Sequence, residues 1–139
     1  MDKKIASVHC IPIMENGTIL MAWDEEEQLL TTIGGRREGA ENLYAALERE
    51  VMEEAGITLQ DEKIPFASWY WESTDTYTIW FLAKVDRFVS TTFEHEKTGY
   101  VIFNFETAKQ LIPKVEENPE FRIQIVNEAE LRAKDLEWI

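Results

Sequence analysis

The chain reads as an α/β protein, a mixed sheet sandwiched between helices, on three observations. Runs rich in β-branched and aromatic residues occupy the first third and the middle of the sequence. An amphipathic helical stretch over about 41–55 separates them, and a second helical region follows the last such run. Strands in the middle with helices on either side bury both faces of one sheet. At 139 residues the chain can bury one good core with little room for a second, so a single domain over 1–139 is expected.

Each element has its own signal. Residues 5–14 read as a strand, with Pro12 suggesting an edge or a bulge. Glu15-Asn16-Gly17-Thr18 is a hairpin turn before a second strand through Trp23. Asp24-Glu25-Glu26-Glu27 reads as a solvated acidic turn, and Leu29 to Ile33 as a short strand running into Gly34-Gly35. The helix spans about Glu41 to Ala55 and stops at Gly56, a residue suited to a helix C-terminus. Strands are expected around 66–72 and 76–86, joined by Ser73-Thr74-Asp75, and another around 99–105. Asn104 can cap a short helix that ends before Pro113. Asn118-Pro119 then places an N-cap and a first-turn proline before a final helix over about 119–137.

Composition excludes several classes. Net charge is −13, which opposes non-specific binding of duplex nucleic acid through a basic surface. It does not oppose small anionic ligands, because bound cations reverse a local field. No apolar run approaches the ~20 residues of a membrane span, and MDKKIASVHCIPIM lacks the uninterrupted apolar stretch of a signal peptide. Cys10 is the only cysteine, so no intrachain disulfide can form, which fits a reducing cytoplasm.

The chemistry concentrates between Gly35 and Ile57, GRREGAENLYAALEREVMEEAGI. Glu50, Glu53 and Glu54 fall at i, i+3 and i+4 and so share one helix face. Leu43, Ala46 and Leu47 point the same way one or two turns earlier. The apolar stripe that docks this helix therefore runs into a cluster of acids. Carboxylates turned inward are costly unless something positive meets them. Clustered carboxylate oxygens suit hard divalent cations such as Mg²⁺ or Mn²⁺.

Gly35, five residues, Glu41, seven residues, Arg49-Glu50-Val51, one residue, Glu53-Glu54, one residue, Gly56-Ile57: this resembles the Nudix box, with every fixed position matched. The motif covers 23 residues, and family members usually carry it in a domain of about this length. The resemblance implies the Nudix α/β/α sandwich and metal-dependent hydrolysis of a nucleoside diphosphate linked to another group, X. It implies Mg²⁺, with Mn²⁺ as a substitute, held by Glu50, Glu53, Glu54 and the backbone carbonyl of Gly34. It implies that Arg49 orients the glutamates while Glu41, with Gly35 and Gly56, supports the loop and helix. The base that takes the proton from water varies within the family between a glutamate in the box and one on a later loop. Here the loop candidates are Glu94 and Glu96 in FEHEKTG, and Glu96, nearer the strand at Gly99, is favoured as base or additional metal ligand. His95 reads as a surface histidine.

Two departures stand out. Ile33 replaces the proline that many members have before the paired glycines, and Arg36-Arg37 is a basic pair where the second position is often aliphatic. Arg36 and Arg37 suit phosphate contact as well as plain solvation beside Glu38 and Glu41. Trp69 and Trp71 share one strand face, and Tyr77, Ile79 and Phe81 share a face of the next; their default role is core. Trp23, Tyr70, Trp71 and Trp80 form the pool from which a nucleotide base would draw a stacking partner. The downstream substrate markers of the family, compared with Pro65 and Tyr77, do not decide the substrate. A nucleoside triphosphate is the leading expectation, then ADP-ribose or a nucleotide sugar. A non-catalytic nucleotide-sensing module is the alternative, and a homodimer is left open.

Overall fold

The computed structural model describes residues 4–92 and 97–139. Among these residues seven strands form one mixed sheet. Five lie side by side in the order β3 (Leu29–Thr31), β2 (Ile19–Asp24), β1 (Lys4–Ile13), β6 (Thr76–Phe88) and β5 (Ile57–Trp71). Two more join off this path: β4 (Ile33–Arg36) pairs with β1, and β7 (Lys97–Phe103) pairs with β2. The β1–β6 pair is parallel and the others are antiparallel.

Alternation along β1 and β6 builds a core on each face. Val8, Cys10, Phe81 and Ala83 turn toward α1 (Leu43–Ala55), meeting Ala46, Leu47, Val51 and Ala55. Ile11, Ile13, Trp80 and Leu82 turn the other way, onto α2 (Phe105–Val115) and α3 (Glu120–Asp135) through Ala108, Ile112, Val126 and Ala129. A sheet covered by helices on both faces is the α/β/α sandwich expected from the sequence.

One feature of the sheet positions the acidic face of α1. β1 meets β6 along nearly its whole length, but its other edge is divided. Ile13 pairs with Ile19 of β2, while Ser7 to Cys10 pair with Arg36 to Ile33 of β4. Pro12 falls in the gap between these two partners and faces Ala83 on the β6 side. It is therefore buried in a central strand, neither at an edge nor at a bulge, because its missing N–H lies where β1 exchanges one neighbour for another.

Helix α1 starts two residues later than Glu41. Its N-cap is Asn42, whose side-chain oxygen accepts from Ala45 N–H at 2.8 Å. At the other end Gly56 adopts the left-handed conformation, φ 62°, and its N–H bonds back to Met52 and Val51. β5 then begins at once, nine residues before the expected strand. The Leu29–Ile33 strand is instead two, broken at Thr32. Asn104 caps α2 as expected, its side-chain oxygen accepting from Thr107 N–H at 2.7 Å, but α2 runs through Pro113 to Val115. Pro113 has no N–H to give the helical ladder, and the loss falls in the last turn, which closes with Glu116 N–H on Ile112 C=O. α3 is capped by Pro119, one residue later than Asn118, with no side-chain cap bond. Asp24 is also displaced from its expected place. It ends β2, is buried, accepts from Glu27 N–H at 3.0 Å and pairs with Lys97 at 3.4 Å. No helix among the described residues is long and apolar enough to cross a membrane.

The paired glycines of β4 are set by close approach. A Cβ on Gly34 would run into the Val8 carbonyl oxygen and His9 Cα, whereas one on Gly35 would meet the Glu50 carboxylate, 2.6 Å away. Backbone cannot step aside and the end of a glutamate can. Gly34→Ala is therefore expected to cost at least about 2 kcal/mol of stability, and Gly35→Ala clearly less. Thermal denaturation of the two variants checks this, and equal losses would contradict it.

Candidate active site

The acidic face of α1 closes over β4 at Gly34-Gly35. Glu50 and Glu54 are buried, with 8% and 7% of their surface exposed, although the helix has exposed positions to spare. Register puts them inward: they follow Ala46, Leu47 and Val51 on the stripe that docks the helix. Glu53 stands at the margin, its side chain 42% exposed.

Arg49 binds this face to the preceding loop. Its Nε and Nη2 donate to the two oxygens of Glu41 at 3.0 and 3.1 Å, a two-pronged pairing. Nη1 reaches Glu50 Oε1 at 3.1 Å and Glu53 Oε2 at 3.3 Å, and Nη2 also reaches the carbonyl of Arg36 at 3.1 Å. Glu41 in turn accepts from the Glu38 N–H at 3.0 Å. Hydrogen bonds from Arg49 hold the Glu41 carboxyl below its ordinary value, and the bond to Glu41 raises the guanidinium, so both charges persist.

Glu54 behaves differently. Burial pushes its carboxyl up to about 8, opposed by the positive charge of Lys97 and assisted by the hydrogen bond and charge of Glu50, while a backbone hydrogen bond from Gly34 pulls it down. Its Oε1 is fully buried and has no hydrogen-bond partner among the described residues. An orphaned buried carboxylate oxygen beside a second carboxylate is the environment that a cation relieves. Among the described residues no three acidic, histidine or cysteine side chains already converge as a closed cage, because Arg49 draws the Glu50 and Glu53 oxygens toward itself. The donors are all hard oxygens, which fits Mg²⁺ or Mn²⁺ and not a thiolate-seeking metal.

On the opposite face of β1 a second group assembles beside Gly34. His9 Nδ1 lies 2.9 Å from Thr32 Oγ1, which also accepts from Trp80 Nε1 at 3.2 Å. The His9 and Trp80 rings stack, centroids 5.6 Å apart. Burial, reinforced by the charge of Lys97, lowers His9 to about 4, so its imidazole is neutral at neutral pH. Lys97 acts on both His9 and Glu54 while it pairs with Asp24, so it joins the two sides of the site. Nothing local singles out Lys97 or Thr32; β2, β4 and β7 bring them here from distant points in the chain.

The remaining candidates separate. Arg36 and Trp71 line one cavity. Arg37 is engaged with backbone, its Nε donating to Ile5 C=O at 2.8 Å and its Nη1 to Glu41 C=O at 3.2 Å. Tyr70 donates to Asp75 at 2.5 Å and packs on Tyr77. Trp23 is half-buried against the core beneath α2 and α3. Trp69 and Trp71 are not core residues: each is nearly half exposed, because β5 is the last strand of the sheet, where Phe121 of α3 packs on Trp69 at 5.0 Å. Glu94, His95 and Glu96 lie outside the described residues.

Comparison with known proteins agrees with this geometry. The family model for the NUDIX domain matches residues 3–125. Among solved structures, a NUDIX hydrolase from Nitrosomonas europaea is similar with a TM-score of 0.70 and 18% identity, over 95% of this chain and 91% of that one. The E. coli ORF135 protein gives 0.63 and 26% identity over 94% and 92%. The Bacillus subtilis pyrophosphohydrolase BsRppH gives 0.63 and 19% identity over 74% and 65%. No curated protein matches by sequence. A family model spanning most of the chain, on a fold shared with these structures, shows that this chain belongs to the Nudix hydrolase family.

Proposed function

We propose that this Nudix hydrolase is a divalent-metal-dependent pyrophosphohydrolase that splits a nucleoside diphosphate linked to X into a nucleotide and phosphorylated X. One domain carries the activity, in the cytoplasm. The leading substrate is a nucleoside triphosphate, followed by ADP-ribose or a nucleotide sugar. The observation that carries the reading is the buried Glu50–Glu54 pair with its orphaned oxygen, packed against Gly34-Gly35 and braced by Arg49.

The difficulty of the reaction is charge. Water must approach a phosphorus surrounded by anionic oxygens, and the departing phosphate takes up more negative charge as the P–O bond breaks. Glu50, Glu53, Glu54, the Gly34 carbonyl and Glu96 are the groups that would hold Mg²⁺, which supplies charge neutralisation and a more acidic water when bound. Arg49 fixes Glu50 and Glu53 on a rigid helix, so little reorganisation is left for the moment of reaction. Gly34 and Gly35, without side chains, let β4 lie close against β1 and beneath the Glu50 carboxylate. A carboxylate accepts the proton of the attacking water, either Glu96 on the loop or Glu50 or Glu53 within the box. BsRppH, named as a pyrophosphohydrolase, shares the fold and supports the same reaction class.

Two outcomes follow. Turnover of a nucleotide panel, read by product identity, should vanish in EDTA and return with Mg²⁺ or Mn²⁺, and Glu54→Gln should lower kcat at least ~10²-fold. Full activity without metal would overturn the mechanism. In EDTA the Glu54 carboxyl has a folded value near 8 against an ordinary value of 4.5. The folded state therefore binds more protons than the unfolded one between these limits. Glu54 then favours folding most below about pH 4.5, and that contribution is lost as pH rises toward 8. Glu54→Gln should accordingly raise the metal-free Tm at pH 8 by roughly 3–6 °C relative to its effect at pH 5. A pH-independent difference would contradict the assignment.

A further inference from the structure

Two residues along β4 from Gly34 the sheet surface changes character. Arg36 pairs with Ser7 and Ser7 with Thr78; at the next level Lys4 pairs with Thr76 and Thr76 with Trp71. Thr76 and Thr78 are two apart on β6 and share a face. Lys4 and Ser7 are three apart on β1, and regular alternation would send them to opposite faces. The pairing of β1 with β6 skips a residue between Ile5 and Ser7. That irregularity resets the alternation and brings Lys4 onto the Thr76 side, beside Arg36.

The result is a continuous groove of two adjoining cavities, about 320 and 270 Å³, that share Arg36 and Thr76. Lys4 lines one and Trp71 the other. Trp71 is held in place: its Nε1 donates to Thr78 Oγ1 at 2.8 Å, and that hydroxyl is bonded to Ser7 Oγ at 2.5 Å. The Arg36 backbone is fixed through its carbonyl by Arg49. Its guanidinium is exposed, as is the Lys4 ammonium, and among the described residues neither side chain makes an ion pair or hydrogen bond. Two unneutralised cations facing one groove are unusual in a chain of net charge −13, where acids are available for every lysine and arginine. Cations so placed suit the oxygens of a phosphate, and a fixed indole beside them suits a nucleobase.

We propose that this groove binds a nucleoside phosphate monoester, with phosphate on Lys4 and Arg36 and base on Trp71, as a site adjacent to the acidic one and separate from it. Two residues of strand, about 6.6 Å, separate Arg36 from Gly34, so the groove can hold part of a molecule that also reaches Glu50 and Glu54. It can equally hold a free nucleotide. The proposal relies on the hydrolase reading only for the source of the nucleotide.

Binding is measured in EDTA, without turnover, by calorimetry and by the indole N–H signals of ¹⁵N-labelled protein. The probes are the four common nucleoside 5′-monophosphates and their parent nucleosides. At least one monophosphate should bind ten-fold or more tightly than its nucleoside, shift the Trp71 indole signal, and weaken as salt is raised. Lys4→Gln with Arg36→Gln should remove at least ten-fold of that affinity while Tm is unchanged, since both side chains are exposed. Equal binding of nucleoside and monophosphate, or full affinity in the double variant, overturns the proposal. With Mg²⁺ present, a raised KM at unchanged kcat in the double variant identifies the ligand as part of the substrate. Unchanged KM with lost inhibition by the monophosphate identifies a free nucleotide. A protein that hydrolyses nothing yet binds through Lys4 and Arg36 keeps the groove and sinks the hydrolase reading.

Discussion

The site depends first on one guanidinium. Arg49 joins three elements of structure at once: Glu41 in the loop, the carbonyl of Arg36 at the end of β4, and Glu50 and Glu53 on its own helix. An isolated ion pair at a surface contributes little. Here the geometry is a network with a two-pronged contact, and its value lies in position more than in stability. It holds a cluster of like charges together and keeps the loop 37–42 close against α1. Lysine could not replace it, because a single ammonium cannot reach a carboxylate through two prongs and a carbonyl at the same time.

The acidic face in turn explains the glycines. Glu50 turns inward over Gly35, where a Cβ would meet its carboxylate, and β4 can sit there because β1 pairs with it over Ser7 to Cys10 and with β2 only at Ile13. Burial then raises the Glu54 carboxyl to about 8. A residue under that strain has no packing purpose, since an apolar side chain would fill the space at lower cost. Nearer its start, β1 slips against β6 and presents Lys4 beside Arg36.

Much of this was legible in the sequence for a physical reason. Helical spacing alone places Glu50, Glu53 and Glu54 on one face with Leu47, and the turn and cap signals at Asn16-Gly17, Gly56 and Asn104 act within a few residues. What was not legible depends on long-range pairing. Pro12 looks like an edge residue until β1 is known to change partners beside it. Trp69 and Trp71 look like core until β5 is known to be the outermost strand. Asp24 reads as part of a solvated turn, but Lys97, distant in sequence, buries it. Local rules also erred by small amounts where two of them competed: Asn42 outranks Glu41 as the start of α1, and α2 absorbs Pro113 in its last turn. His9, Thr32 and Trp80 carry no spacing that links them; only the sheet brings them together.

The central claim is that the carboxylates braced by Arg49 form a divalent-cation site. Crystals soaked in Mn²⁺ and measured for anomalous scattering test it most directly. The account predicts a peak among Glu50, Glu53 and Glu54 beside Gly34, absent from the Glu54→Gln variant under the same conditions. Saturating Mn²⁺ with no peak there, or with a peak only elsewhere while turnover is sustained, would contradict it.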